Sequence, residues 1–315
     1  MTITPFEAMQ KAVDIVGNSS HATNKIAATI FRENTAYSST NIWPSLIEEK
    51  IGTETRIGSS SGTLHAEVSC LLNFPHATEG ASLCITDPFC PNCAKNLAES
   101  GIKNIYIDHK GFDKDFALRR GEDFGAMSLR IASKAGINIY QLWRKENRIE
   151  PIYEVPDNYV PAQDNPIKIE KTSVVPNIYA LNQIVASTQI IHKRWACALA
   201  KNTNGENFFL VASAHPAIGY TKDHDADIIS HKEGKYSFYL EPLNRILMGA
   251  HRYGLRLLDG LIWSSEVPTS RELVNVVGAG IQTLCLGNEE AARDEDAIAA
   301  SRLLADNGVM QFISL

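Results

Sequence analysis

Apolar residues recur at helical spacing between residues 4 and 16 (Phe6, Met9, Ala12, Val13, Val16), and Gly17-Asn18 ends the run. Residues 25–31 (KIAATIF) form an apolar run of strand length, which Arg32-Glu33-Asn34 turns back into a second strand near 35–39. A long polar excursion follows and closes in Gly58-Ser59-Ser60-Ser61-Gly62. Next comes a helix over about 64–73, with Val68, Leu71 and Leu72 on its core face. Residues 81–86 predict a third strand, broken by Asp87-Pro88. A helix then starts near Pro91, a residue tolerated in a first helical turn, and stops at Gly101. Residues 103–107 read as strand four, a helix falls within 113–135, and 137–143 read as strand five. Helices separate strands three, four and five, which predicts parallel pairing through right-handed crossovers.

Pro151, Pro156, Pro161, Pro166 and Pro176 crowd the next stretch, which reads as an extended linker. Beyond it the same order of elements returns. A helix over 178–192 precedes a strand over 195–201, a turn at Asn202-Thr203-Asn204-Gly205 and a strand over 207–213. Residues 223–231 read as a polar loop. Helices over 239–252, 270–277 and 289–306 then alternate with strands over 260–263, 282–286 and 309–313. The best local echo sets residues 96–107 against 275–286, with Gly101-Ile102 opposite Gly280-Ile281. The pattern predicts an α/β chain of two copies of one unit, residues 1–150 and 177–315, joined by a linker over 151–176. The competing reading is a coincidence of element order.

Composition narrows the class. The chain has 315 residues, room for two domains of ordinary size. Lys plus Arg is 30 and Asp plus Glu is 36, a formal net charge of −6. That balance gives no footprint for gripping a nucleic-acid backbone, although one nucleotide needs only one or two local cations. No apolar run reaches membrane-spanning length, so no membrane partner is expected, and residues 1–18 do not read as a signal peptide. Four of the six cysteines fall in the first half. Their spacing suits a reducing cytoplasm with one metal site rather than a secreted disulfide framework.

The candidate chemistry is His65-Ala66-Glu67 followed by Cys90-Pro91-Asn92-Cys93. Two thiolates at the start of a helix and one imidazole make three ligands for Zn²⁺, leaving a fourth position for water. Glu67, two residues from His65, is placed to move protons. A Cys-x-x-Cys alone could be a redox pair or part of a structural zinc site, and a His-x-Glu alone an exposed polar pair. Together, with no second Cys pair to complete a tetrad, they match the His-x-Glu and Cys-x-x-Cys signature of zinc deaminases. Cys70 and Cys84 read as core thiols.

On these motifs, residues 25–143 resemble the cytidine and deoxycytidylate deaminase superfamily, with the tail Ala94-Lys95-Asn96-Leu97 also family-like. The resemblance implies two tandem cytidine-deaminase-like domains, each a five-stranded mixed sheet in the order 2-1-3-4-5 with helices on both faces. It implies metal ligands His65, Cys90 and Cys93, the proton shuttle Glu67, and Zn²⁺ as cofactor. The helix between strands four and five is similar to the branch holding deoxycytidylate, guanine and tRNA-adenosine deaminases. By that likeness, Asn41 after strand two is a candidate substrate contact; it also suits a plain turn. Trp43 could stack on a base or anchor a loop, and His109 could meet a phosphate or belong to a solvated loop. Phe89 stands where the family has proline before the first cysteine, which reshapes the pocket wall. The implied reaction is hydrolytic deamination of a nucleobase, nucleoside or nucleotide, cytosine type first and guanine or adenine second. A zinc-stabilised, non-catalytic binding protein is the reading from another class. Nucleic acid is not an expected partner; a homodimer, or packing of the two domains within the chain, is.

The second copy lacks the metal set. The alignment places Thr269 and Glu272 opposite Cys90 and Cys93, and Glu241 and Leu243 opposite His65 and Glu67. A degenerate domain is expected there.

Overall fold

A computed structural model describes residues 2–113, 121–188, 193–221 and 237–315. The polar loop predicted at 223–231 lies outside them. In chain order the first half carries α1 (Pro5–Ile15), β1 (Ala27–Arg32), β2 (Thr35–Thr40), α2 (Ser45–Lys50), β3 (Arg56–Ile57), β4 (Ser60–Ser61) and α3 (Ala66–Asn73). It continues through β5 (Ser82–Ile85), α4 (Pro91–Glu99), β6 (Asn104–Asp108), α5 (Gly121–Lys134), β7 (Asn138–Trp143) and β8 (Arg148–Tyr153). The second half carries β9 (Lys168–Thr172), α6 (Ile178–Ser187), β10 (Trp195–Lys201), β11 (Asn207–Ser213), β12 (His215–Pro216), β13 (Tyr239–Leu240) and α7 (Pro242–Arg252). It ends with β14 (Arg256–Ser264), α8 (Ser270–Gly278), β15 (Thr283–Leu286), α9 (Glu295–Asp306) and β16 (Gln311–Ser314).

Each half builds a six-stranded mixed sheet, not the five strands expected. The first runs β2-β1-β5-β6-β7-β8, with β5, β6 and β7 parallel. The second runs β9-β11-β10-β14-β15-β16, with β14, β15 and β16 parallel. Five strands of each follow the expected order 2-1-3-4-5. The sixth is β8 on the edge beside β7 in one sheet and β9 on the edge beside β11 in the other. Both extra strands lie partly or wholly in the proline-rich stretch. An edge strand has one side with no ladder partner, so Pro151, lacking an N–H, fits within β8. Of the prolines in that stretch, Pro156, Pro161, Pro166 and Pro176 lie outside the strands, and only Pro151 falls within one.

The chain groups into two compact units whose boundaries interleave. One comprises Met1–Ile42, His65–Asn165 and Pro216–Leu240; the other comprises Trp43–Leu64, Pro166–His215 and Glu241–Leu315. The predicted polar excursion belongs to the second unit, where it folds into α2 and the β3–β4 pair. Six residues started by Pro44 are too short for a helical period to show in sequence.

In the first unit, α1 packs on β1, β2 and β5, with Ala8 and Met9 against Phe31, Cys84 and Leu142. A capping box between Thr4 and Glu7 starts it. Helix α3 lies on β1 and β2 and beside α4, which in turn packs on α5. A buried hydrogen bond joins Ser69 of α3 to Ser39 of β2 at 2.7 Å. In the second unit, Leu181 of α6 meets Cys197, Leu199, Trp263 and Cys285 of the sheet. Helices α4 and α8 end alike. Gly101 (φ 75°) and Gly280 (φ 78°) take the left-handed conformation that side chains resist. Ile102 and Ile281 then donate back to Leu97 and Val276 and bury their side chains. This is the structural content of the echo between 96–107 and 275–286. Among the described residues, no helix is long and apolar enough to cross a membrane.

Candidate metal centre

The site lies within the first unit, where β5 gives way to α4 and where α3 begins. Asp87-Pro88 stops the strand, and Cys90 takes extended backbone (φ −87°, ψ 161°) as the N-cap of α4. Its sulfur accepts the Cys93 backbone N–H at 3.3 Å, and Pro91 occupies the first helical position, where no donor is needed. The two sulfurs thus share one helix start, whose unpaired N–H groups favour negative charge. His65 is the N-cap of α3 rather than a member of its first turn. Its Nδ1 stands 3.2 Å from Cys93 Sγ and 3.6 Å from Cys90 Sγ. The three ligand atoms lie within 4.8 Å of one another. Donors around a tetrahedral metal are spaced roughly 3.6 Å apart, so the arrangement fits an ion at its centre. Among the described residues, this is the one group of three His, Cys, Asp or Glu side chains that converges so.

Glu67 follows at the second helical position of α3 and is buried. Burial raises its carboxyl above the usual range, His65 opposes that, and the Cys93 thiol is within hydrogen-bond reach. The Cys90 thiol is held well below its ordinary range, first by the hydrogen bond from Cys93, while burial pushes Cys93 well up. Cys70 and Cys84 differ. Burial pushes Cys70 up to about 12, its thiol donates to the Ala28 carbonyl, and Cys84 donates to the Pro5 carbonyl. Both are core thiols, as expected.

The candidate substrate contacts fall in several places. Asn41 is buried, and its side chain is spent locally: Oδ1 accepts from Ser19 Oγ at 2.6 Å and Ile26 N at 3.0 Å, and Nδ2 donates to the Asn24 carbonyl. Trp43 groups with the second unit, where its buried ring lies against Gly62; a Cβ there would come within 2.6 Å of it. Phe89 is buried directly before Cys90. His109 opens a 3-10 turn after β6 and stacks on Trp143, with ring centroids 5.8 Å apart. Its Nδ1 is 3.2 Å from Asp108, which also binds Arg144 at 3.0 Å. Gly111 in that turn presses on the backbone before the cysteines: a Cβ would meet the Thr86 carbonyl at 2.5 Å. Sequence reasoning missed Gly111, because close backbone contact leaves no trace in residue type.

In the second unit other residues stand at the corresponding helix positions. Glu241 is the N-cap of α7, Thr269 the N-cap of α8, and Glu272 the third helical residue of α8. These are the positions of His65, Cys90 and Cys93. Glu272 Oε2 accepts from Thr269 N and Oγ1, and Oε1 accepts from Leu243 N at 2.8 Å. Glu241 is paired with Arg293 at 3.1 Å and Arg194 at 3.3 Å. Carboxylates here bind helix ends and arginines. Burial, then the charge of Glu241, pushes Glu272 up to about 7 despite its three donors. An acid whose folded pKa is raised stabilises the fold fully below its unfolded value of 4.5 and loses that contribution as pH rises through about 7. Glu272→Gln is expected to flatten the fall in stability between those limits, an effect of at most about 3 kcal/mol, read from urea midpoints at pH 5 and pH 8. An unchanged pH slope in the variant would show that Glu272 does not titrate there.

No family model matches the chain. An uncharacterized deaminase in the luxG 3′ region of Aliivibrio fischeri is 29% identical over 128 residues, which is 40% of this chain and 85% of that protein. The chain is a relative of a deaminase. Solved structures similar to it include the dCMP deaminase of cyanophage S-TIM5 in complex with dCMP and dUMP (19% identical, 42% of this chain and 93% of that one, TM-score 0.31). Another is Acinetobacter baumannii RibD (16% identical, 44% of this chain and 34% of that one, TM-score 0.32). The length matched to the deaminase relative is near that of one predicted domain, so the relative accounts for one half of the chain at most.

Proposed function

We propose that the protein is a zinc-dependent hydrolytic deaminase acting on a nucleobase, nucleoside or nucleotide, cytosine type first. The observation that carries this is the convergence of His65, Cys90 and Cys93 with buried Glu67 beside them. Thiolate and imidazole donors suit zinc, and the chain has a relative named as a deaminase. Zinc held there would lower the pKa of a water at its open position toward about 7 and so supply the nucleophile. Glu67 takes one proton from that water and delivers it to the ring nitrogen beside the attacked carbon; as the C–N bond breaks, it carries the second proton, from the newly added hydroxyl, to the departing amine, and that hydroxyl becomes the carbonyl. The net change is amine to carbonyl, with ammonia released. The redox reading of the cysteines has no use for Glu67, and neither does a purely structural zinc site.

The second half is read as a tandem copy that lost the metal. Its five shared strands have the same order, and Glu241, Thr269 and Glu272 stand at the same helix positions as the three ligands. Asn41, with its amide tied to the 19–26 loop, is read as shaping that loop.

Ammonia release from cytosine, guanine and adenine compounds, each offered as base, nucleoside and nucleotide, tests the reading. At least one cytosine compound is expected to turn over. Zinc-loaded protein that deaminates none of the panel would leave the binding-protein reading standing.

A further inference from the structure

Two contacts of one kind occur where the chain crosses between units. Residues 43–64 group with the second unit although they precede α3. Arg271, at the second position of α8, donates from Nη1 to the Thr63 carbonyl at 2.7 Å. Its Nη2 reaches Ser61 Oγ at 3.2 Å and the Ser61 carbonyl at 3.4 Å. The same segment is fitted closely elsewhere. A Cβ on Gly58 would meet the Asp296 carbonyl at 2.3 Å, and one on Gly278 would come within 2.8 Å of the Leu64 side chain. Two residues after Thr63 stands His65.

The second half mirrors this. Residues 216–240 group with the first unit, and Lys95 of α4, itself 2% exposed, donates to the carbonyls of Ser237 at 2.7 Å and Tyr239 at 2.9 Å. Two residues after Tyr239 stands Glu241, the N-cap of α7, as His65 is of α3. In each unit a cation on the helix that begins at the Cys90 or Thr269 position holds a segment from the other half. That segment runs straight into the other half's N-cap.

We infer that Arg271 is a positioning residue for the metal centre: its guanidinium fixes the chain that delivers His65. This rests on the zinc reading of His65, Cys90 and Cys93. An N-cap side chain points where its extended backbone aims it, and His65 sits at φ −69°, ψ 149°. The backbone is joined to Thr63 through one residue. The planar fork of arginine reaches two successive attachment points at once, which a lysine ammonium cannot reproduce in the same geometry. Without it, part-buried carbonyls lose their donor, and the segment leading to His65 is free to shift toward other partners. The second half thereby acts on the metal site while supplying no ligand to it.

The test uses the full chain: parent, Arg271→Ala, Arg271→Lys and Leu304→Ala. Leu304 is fully buried in the second unit and serves as a destabilised control. Zinc affinity is read by competition with a chromogenic chelator, and folding by thermal melting. Groups hydrogen-bonded directly to metal ligands change metal affinity about 10–100-fold, and Arg271→Ala, acting one step further out, is expected near the lower figure. Arg271→Lys should fall between it and the parent, and added guanidinium should restore part of the loss in the alanine variant. Leu304→Ala should melt earlier yet bind zinc like the parent. Parent-like zinc affinity in Arg271→Ala, or an equal loss in Leu304→Ala, overturns the inference. If the alanine variant does not fold, parent-like binding by Arg271→Lys overturns it, and weaker binding upholds it. A parent that binds no zinc removes the metal reading itself and this inference with it, an outcome distinct from the others.

Discussion

Glu67→Gln is expected to lower ammonia release by about 10²–10⁴-fold, the range in which positioned proton transfer contributes to catalysis, while the zinc content stays at the parent level. Glutamine keeps the size and two polar atoms of glutamate but cannot take up the water's proton at neutral pH. The position has no evident substitute. Glu67 is buried and within hydrogen-bond reach of Cys93, and the neighbouring residues of α3, Val68, Leu71 and Leu72, are buried apolar side chains. Single-turnover rates on the compound identified by the panel, together with metal analysis of the same preparation, give the comparison. A glutamine variant that keeps more than about a tenth of the parent rate would remove Glu67 from the chemistry. Loss of both zinc and activity would make it a support of the site instead of its proton carrier.

Cys93→Ala is expected to take zinc from about one per chain to almost none. The side chain is fully buried at the third position of α4, and its removal leaves one sulfur and one imidazole. A metal that binds only the folded chain adds stability that grows with its concentration, about 4 kcal/mol when free zinc is a thousand times the dissociation constant. The variant should therefore melt several degrees below the zinc-loaded parent. A strong chelator should lower the parent's melting point and leave the variant's unchanged. Cys70→Ala supplies the contrast: another buried thiol is lost, but one that donates to the Ala28 carbonyl and belongs to no cluster. It should keep its zinc. A Cys93→Ala protein with full zinc content, or a Cys70→Ala protein with none, would show that the ligands have been misassigned.

Much of the site was legible because its residue types are chemically unusual. A buried-strand run ending in Asp87-Pro88, then two cysteines around a first-turn proline, has few other uses. The N-cap role of Cys90 follows from that proline and from the spacing to Cys93. The correspondence of Thr269 and Glu272 with Cys90 and Cys93 was likewise readable, since Gly280-Ile281 repeats the helix ending of Gly101-Ile102 and fixes that register; Glu241 and His65, offset by three further residues, match through their shared N-cap position. The capping box at Thr269 and Glu272 starts that helix: two backbone donors are satisfied by the side chains themselves. Less legible were β8, where Pro151 in an edge strand looks the same in sequence as proline in a coil, and β9, a short and mostly charged segment. Asn41 and Trp43 were read for their chemical capacity, and only their neighbours show how much of that capacity is already used.

The sequence alone determined the periodicities, the stops, the order of the parallel strands and the set of donors that suits a metal, since each depends on residues close together in the chain or on side-chain chemistry. Tertiary structure decided which segments complete which unit, and therefore that Arg271 holds the carbonyls two and four residues ahead of His65. A hydrogen bond spanning 208 residues leaves no local pattern to read: a backbone carbonyl is present at every position, and only the folded path brings one to a given guanidinium.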